Sequence, residues 1–154
     1  MLVEDERLTS MVTAAMLQRN GYVVDTVFNG PDAVNRATNA DAPGIDLILM
    51  DIDLGNGMDG TGAARLILEQ IDIPILFLSS HTEPEVVSRV EEITSYGYVV
   101  KNSGDTVLLA SIRMAFRLRD AREEWVAINQ ELAATNEELR ASMEIGRASC
   151  RERV

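Results

Sequence analysis

The hydrophobic period switches between two and about 3.6 along this chain, and each switch marks a change of element. Residues 1–4 read as the end of an apolar strand. Leu8, Met11, Val12, Ala15 and Met16 then follow the i, i+3, i+4 spacing of one helix face, and Asn20-Gly21 stops that helix. Tyr22 to Val27 is β-branched and aromatic and predicts a strand. Asn29-Gly30-Pro31-Asp32 punctuates, and a short helix follows through Ala33, Val34 and Ala37. Ile45 to Met50 is almost continuously apolar, the pattern of a strand covered on both faces, and it ends on Asp51. A loop from Gly55 to Gly60 leads into a helix over Thr61 to Gln70. Pro74 to Leu78 reads as a strand, Glu83 to Tyr96 as a helix and Tyr98 to Val100 as a fifth strand, with helix again from Val107. Strand and helix alternate five times through short connections. The fold class is α/β, with a parallel sheet and helices on both faces.

The last helix runs past the point where such a domain would end. Leu118, Trp125, Leu132 and Leu139 recur every seven residues, with Ala121, Ile128, Thr135 and Ser142 three further on. This is a heptad seam, apolar at its start and weaker at its end. It predicts a parallel coiled coil over residues 119–144, linking a domain of residues 1–118 to something beyond and pairing the chain as a homodimer.

Composition narrows the partners. Fourteen Lys and Arg against 25 Asp and Glu give a net charge of −11, so no basic face is expected for direct nucleic-acid binding or for an anionic membrane. No apolar run approaches the length of a membrane span and the first residues are acidic, so no membrane insertion is expected and the cytoplasm is the default location. One Cys (Cys150) and one His (His81) exclude a disulfide framework and a Cys/His zinc cluster. Thirteen of the basic residues are Arg, and Lys101 is the only Lys.

Residues 145–154, IGRASCRERV, break the acidic, Leu-spaced pattern before them. They resemble the translation of a sequencing-library adapter and are set aside as a non-native tail. The expectation is then a chain that continues past Glu144, with −13 on residues 1–144 once three Arg and one Glu are removed.

In an open parallel sheet, ligands bind beyond the carboxyl ends of the strands. Strand one ends in Glu4-Asp5, strand three in Asp51 with Asp53 two residues on, strand four in Ser79-Ser80, and strand five in Lys101. Carboxylates brought close together need a cation or a proton, and an all-oxygen set suits Mg²⁺. Asp51 is placed as a nucleophile toward a phosphoryl group, Lys101 as the compensating cation and the Ser79 hydroxyl as a donor to a phosphoryl oxygen.

With these residues in place, the sequence resembles the response-regulator receiver domains of two-component signalling. The match lies in LVEDE (Leu2 to Glu6), LILMDIDLGNGMDG (Leu47 to Gly60), PILFLSS (Pro74 to Ser80) and GYVVK (Gly97 to Lys101). The resemblance implies a five-stranded, flavodoxin-like sheet of order 2-1-3-4-5. It implies that Asp51 is phosphorylated from a phosphohistidine on a sensor histidine kinase or phosphotransfer protein. Asp5, Asp51 and the backbone carbonyl of Asp53 would hold Mg²⁺, with Glu4 acting directly or through water. Ser79 and Lys101 would contact the phosphoryl group, and Tyr98 would change rotamer when Ser79 moves. The domain would catalyse only its own phosphorylation and dephosphorylation, a signalling module and not an enzyme. Its output would be a change of dimer geometry along Leu118, Trp125, Leu132 and Leu139, passed to a sensory, kinase or cyclase domain.

Three departures stand out. The first strand opens at Met1, two or three residues short of the family's, as expected of a start that is misplaced or clipped. Asn102 follows Lys101 where most receivers have Pro, so the usual cis bond is not expected. Ser79 replaces the commoner Thr. His81 is expected in a loop near the rim, tuning dephosphorylation, and Glu83, Glu85, Glu91 and Glu92 on a solvated helix face.

Two rival readings use the same residues. Gly55-Asn56-Gly57-Met58-Asp59-Gly60 fits G-x-G-x-x-G, but its three neighbouring Asp would repel a pyrophosphate and the loop follows the third strand, not the first. Asp51-Ile52-Asp53 fits the D-x-D of haloacid-dehalogenase-like phosphatases, with Asp51 as nucleophile and Asp53 as acid/base. That motif usually lies on the first strand and continues with Thr or Val, where Leu54 stands here.

Overall fold

The computed structural model describes residues 1–42, 44–55, 57–80, 84–93 and 96–151, the side chains of 84–87, 89 and 151 excepted. The elements are β1 (Leu2–Val3), α1 (Arg7–Arg19), β2 (Thr26–Val27), α2 (Gly30–Thr38), β3 (Ile48–Asp51), α3 (Gly60–Leu68), β4 (Ile75–Ser79), α4 (Pro84–Ile93), β5 (Tyr98–Val100) and α5 (Asp105–Arg151). The five strands form one parallel, flavodoxin-like sheet of order β2-β1-β3-β4-β5. The chain divides into one compact unit over Met1–Phe116 and a second over Arg117–Val154.

Alternation along the strands builds two cores. Ile48, Met50, Ile75 and Phe77 point to one face, where Ala33 of α2, Ala63, Ala64 and Ile67 of α3 and Val90 of α4 cover them. Leu49, Leu76, Leu78 and Val99 point to the other, against Leu17 of α1 and Ile112 and Ala115 of α5. Because β3 and β4 are sandwiched in this way, their four and five residues are all buried, as the apolar runs predicted.

Two expectations are corrected. Most of the apolar face assigned to α1 turns outward: Leu8, Met11 and Val12 are 69%, 70% and 62% exposed. The helix buries Ser10, Ala14 and Leu17, at i, i+4 and i+7 on its opposite side, and of the predicted set Met16 is buried with them. Two small residues in that set let the helix backbone approach the sheet, which larger side chains would hold off. The second strand is only Thr26–Val27, not Tyr22 to Val27, because β2 is an edge strand that pairs only where β1 offers Leu2 and Val3; Val23 is fully exposed.

Helix starts are fixed locally. The Asn29 side chain accepts from Asp32 N at 2.8 Å ahead of α2, and Asp59 Oδ1 accepts from Gly62 N at 2.7 Å ahead of α3. After β5 the Lys101-Asn102 bond is trans and Asn102 takes a left-handed φ of 68°, a conformation that Asn tolerates better than most residues. Glu91 and Glu92 are exposed as expected, whereas Glu83 and the Glu85 side chain lie outside the described residues. Among the described residues no helix is long and apolar enough to cross a membrane.

Candidate functional site

The carboxyl ends of the strands converge on one rim. Glu4 and Asp5 follow β1, Asp51 closes β3, Ser79 closes β4 and Lys101 follows β5. Glu4, Asp51 and Ser79 are buried, at 2%, 1% and 0% exposure. Lys101 Nζ donates to Asp51 Oδ2 at 2.6 Å and lies 2.8 Å from Glu4 Oε2. Its backbone N–H donates to the Ser79 carbonyl at 2.7 Å, which ties the end of β5 to the end of β4. Asp51 Oδ1 accepts from the Asp53 N–H at 3.1 Å, and Glu4 Oε1 from the Glu6 N–H at 3.4 Å.

One ammonium thus serves two buried carboxylates, and the charge does not balance. Burial pushes the Asp51 carboxyl up from 3.8 to about 6; the Lys101 contact and the Asp53 N–H oppose the rise, and the Glu4 charge adds to it. Burial works against the Lys101 ammonium, but its contacts with Asp51 and Glu4 outweigh that and hold it above its usual value.

The surplus negative charge fits a divalent cation. Ligand oxygens of Glu4, Asp5 and Asp51 lie within 4.8 Å of one another, and Glu4 Oε2 has the ion pair but no hydrogen bond of good geometry. Gly55 stands beside this group, where a Cβ would come within 2.9 Å of Asp5 Oδ2. An all-oxygen donor set of this kind suits a hard ion such as Mg²⁺.

The other expected residues fall as follows. The Asp53 carboxylate is not among the three grouped acids; its N–H is the part that reaches Asp51. Tyr98 is half-buried, opens β5 beside Phe77 and packs on the core covered by α2, α3 and α4. His81 lies outside the described residues. Leu118, Trp125, Leu132 and Leu139 are all exposed on α5.

Three features escaped the sequence reading. The first is Gly60, whose added Cβ would stand 1.8 Å from the Asp51 carbonyl oxygen; the Asp-Gly pair at a helix start was its signal. The second is the exposed ridge of Leu8, Met11 and Val12, two turns or less from Asp5. The third is Arg7, whose guanidinium sits 4.8 Å from the centre of the Phe28 ring.

A flavodoxin-like sheet with an acid cluster and a lysine at its carboxyl rim defines a class of protein, and comparison with known proteins gives the family within it. Residues 1–113 match the response regulator receiver domain family. The protein-glutamate methylesterase/protein-glutamine glutaminase of Archaeoglobus fulgidus is 34% identical over 73% of this chain and 32% of its own length. The transcriptional regulatory protein PdtaR of Mycobacterium tuberculosis is 32% identical over 85% of this chain and 64% of its own. Among solved structures, the N-terminal domain of a response regulator/sensory box/GGDEF 3-domain protein from Carboxydothermus hydrogenoformans is similar with a TM-score of 0.71. It is 40% identical, covering 79% of this chain and 95% of that one. The chain belongs to the response regulator receiver domain family of two-component signalling. It spans about a third of the first relative and under two thirds of the second.

Proposed function

We propose that this receiver accepts a phosphoryl group on Asp51 from the phosphohistidine of a sensor kinase or phosphotransfer protein. A carboxylate oxygen of Asp51 bonds to phosphorus, the phosphorus–nitrogen bond of the donor breaks, and the imidazole leaves with the electron pair. Asp5 and Asp51, with the Asp53 carbonyl and with Glu4 directly or through water, would hold Mg²⁺, which when bound neutralises charge on phosphoryl oxygens. Lys101, already on Asp51, follows the incoming charge, and the Ser79 hydroxyl donates to a phosphoryl oxygen. Tyr98 responds to the shift of Ser79, and His81 tunes loss of the phosphoryl group. The donor docks on the ridge of Leu8, Met11 and Val12 beside the rim.

The output passes along α5, where Leu118, Trp125, Leu132 and Leu139 pair the chain with a second copy as a parallel coiled coil and carry the change to a further domain. The protein works in the cytoplasm and acts as a switch without turnover of other substrates. A haloacid-dehalogenase-like phosphatase is not favoured: Asp51 closes the third strand and the Asp53 carboxylate is not one of the grouped acids.

The observation that carries this reading is Lys101 shared between Asp51 and Glu4 at 2.6 and 2.8 Å. Beryllofluoride, a phosphoryl mimic, tests it in the presence of Mg²⁺. The unaltered protein should bind it and Asp51→Asn should not, and equal binding by both would overturn the assignment.

A further inference from the structure

Arg7 stands where a helix disfavours it. It opens α1, whose first turn holds no acidic residue and whose N-cap residue, Glu6, makes no side-chain capping bond; the positive end of the helix dipole repels a cation there. Its guanidinium lies 4.8 Å from the centre of the Phe28 ring. Phe28 follows β2, at the same carboxyl rim as the acids, and is half-buried without belonging to either core. Core packing therefore does not account for the pair.

The carboxylates around Arg7 make its choice of partner informative. Glu6 Oε2 accepts from the Thr9 hydroxyl at 2.7 Å, and Asp32 Oδ2 accepts from Asn29 Nδ2 at 2.7 Å. Asp5 differs from both: it is exposed, it lies two residues before Arg7, and among the described residues neither its carboxylate nor the Arg7 guanidinium enters an ion pair. An arginine is long enough to reach a carboxylate two residues away, yet this one stacks on a ring.

The charge of the cluster gives that choice a consequence. Three ionised carboxylates, Glu4, Asp5 and Asp51, against the Lys101 ammonium leave two negative charges, which one divalent ion matches. Arg7 drawn onto Asp5 would leave a single one and would occupy an oxygen that the ion needs. An exposed ion pair in water is weak, so an aromatic face can compete with it, because a guanidinium stacks there at little loss of hydration.

We infer that Phe28 is a positioning residue that holds Arg7 away from Asp5 and so keeps the acid cluster open to Mg²⁺. This rests on the metal site proposed above and adds the residue that protects it from a competing side chain of the same chain.

Calorimetric titration of Mg²⁺ into the full chain at low salt tests it, with circular dichroism to check that each variant folds. Phe28→Leu keeps an apolar side chain and removes the ring face; it should bind Mg²⁺ about three-fold more weakly, the scale of one exposed charge contact. Phe28→Tyr keeps the face and should bind as the unaltered protein does. Adding Arg7→Gln to Phe28→Leu should recover the lost affinity, whereas Arg7→Gln alone should tighten binding by less than about two-fold. An effect of Arg7→Gln that is the same with and without Phe28→Leu would overturn the role of the ring and leave the metal site standing. Undiminished Mg²⁺ binding by Asp5→Asn would overturn the metal site itself.

Discussion

Gly60 is pressed against Asp51: the Asp51 carbonyl oxygen lies 1.8 Å from where a Cβ on Gly60 would be. The start of α3 therefore touches the end of β3, and the Gly60 N–H donates to the Ile52 carbonyl at 2.9 Å to hold it there. No rotamer relieves a clash between backbone and Cβ. Gly60→Ala should cost more than about 4 kcal/mol or prevent folding. Gly44→Ala, with nothing within 4 Å, should stay within about 0.5 kcal/mol. Urea unfolding of the two variants compares them, and a Gly60→Ala as stable as Gly44→Ala would refute the contact.

Asp51 makes stability depend on pH in a definite direction. Its carboxyl titrates at about 6 in the fold against an ordinary 3.8, so the folded chain holds this proton more tightly than the unfolded chain. The site's contribution to stability falls as pH rises from about 4 and is at its least favourable above about 6. Asp51→Asn should then stabilise the protein by roughly 1–3 kcal/mol at pH 8, the gain shrinking toward zero near pH 4. Denaturation at pH 4, 6 and 8 measures it; the same difference at every pH would contradict the buried charge.

Removal of Lys101 leaves Glu4 and Asp51 facing each other with no cation between them. Its ammonium is held above the ordinary 10.5, so the stabilisation is complete at neutral pH and is lost only as pH climbs past that value. Lys101→Met should destabilise by about 3 kcal/mol at pH 8, and by less at pH 5, where Asp51 takes up a proton. Mg²⁺ should raise the melting temperature of this variant more than that of the unaltered protein. A variant insensitive to both pH and Mg²⁺ would show that the three charges do not act together.

The proposed docking of the phosphoryl donor on the α1 ridge can be tested apart from the chemistry. Met11→Asp should leave thermal stability within about 0.5 kcal/mol, since the side chain is 70% exposed. It should slow phosphorylation by a phosphohistidine protein at least about ten-fold, the usual scale for losing an interface anchor, while acetyl phosphate still labels Asp51 at the normal rate. Equal slowing with both donors would place Met11 in the chemistry and not in docking.

The α/β order, the sheet topology and the grouping of Glu4, Asp5, Asp51 and Lys101 were legible in the sequence. Strands buried on both faces leave long apolar runs, and a parallel sheet sends their polar ends to one rim. The packed face of α1 was not legible, because hydropathy favours Leu8, Met11 and Val12, whereas close approach to the sheet favours the small Ser10 and Ala14. The shortness of β2 was hidden for a related reason: Tyr22 to Val24 have strand propensity, but hydrogen-bonded partners decide where a strand exists. Gly60 was read only as part of a turn, since a close approach between backbones leaves no mark beyond the absence of a side chain.

Trp125 is the chain's only tryptophan and lies 67% exposed on α5, beyond the receiver's last packed residue, Phe116. Its fluorescence therefore reports on α5 within Arg117–Val154, while melting of the sheet is followed by tyrosine absorbance or circular dichroism. Separate optical reporters thus lie on the two units of the chain, so their responses to one stimulus can be timed against each other in a single cuvette.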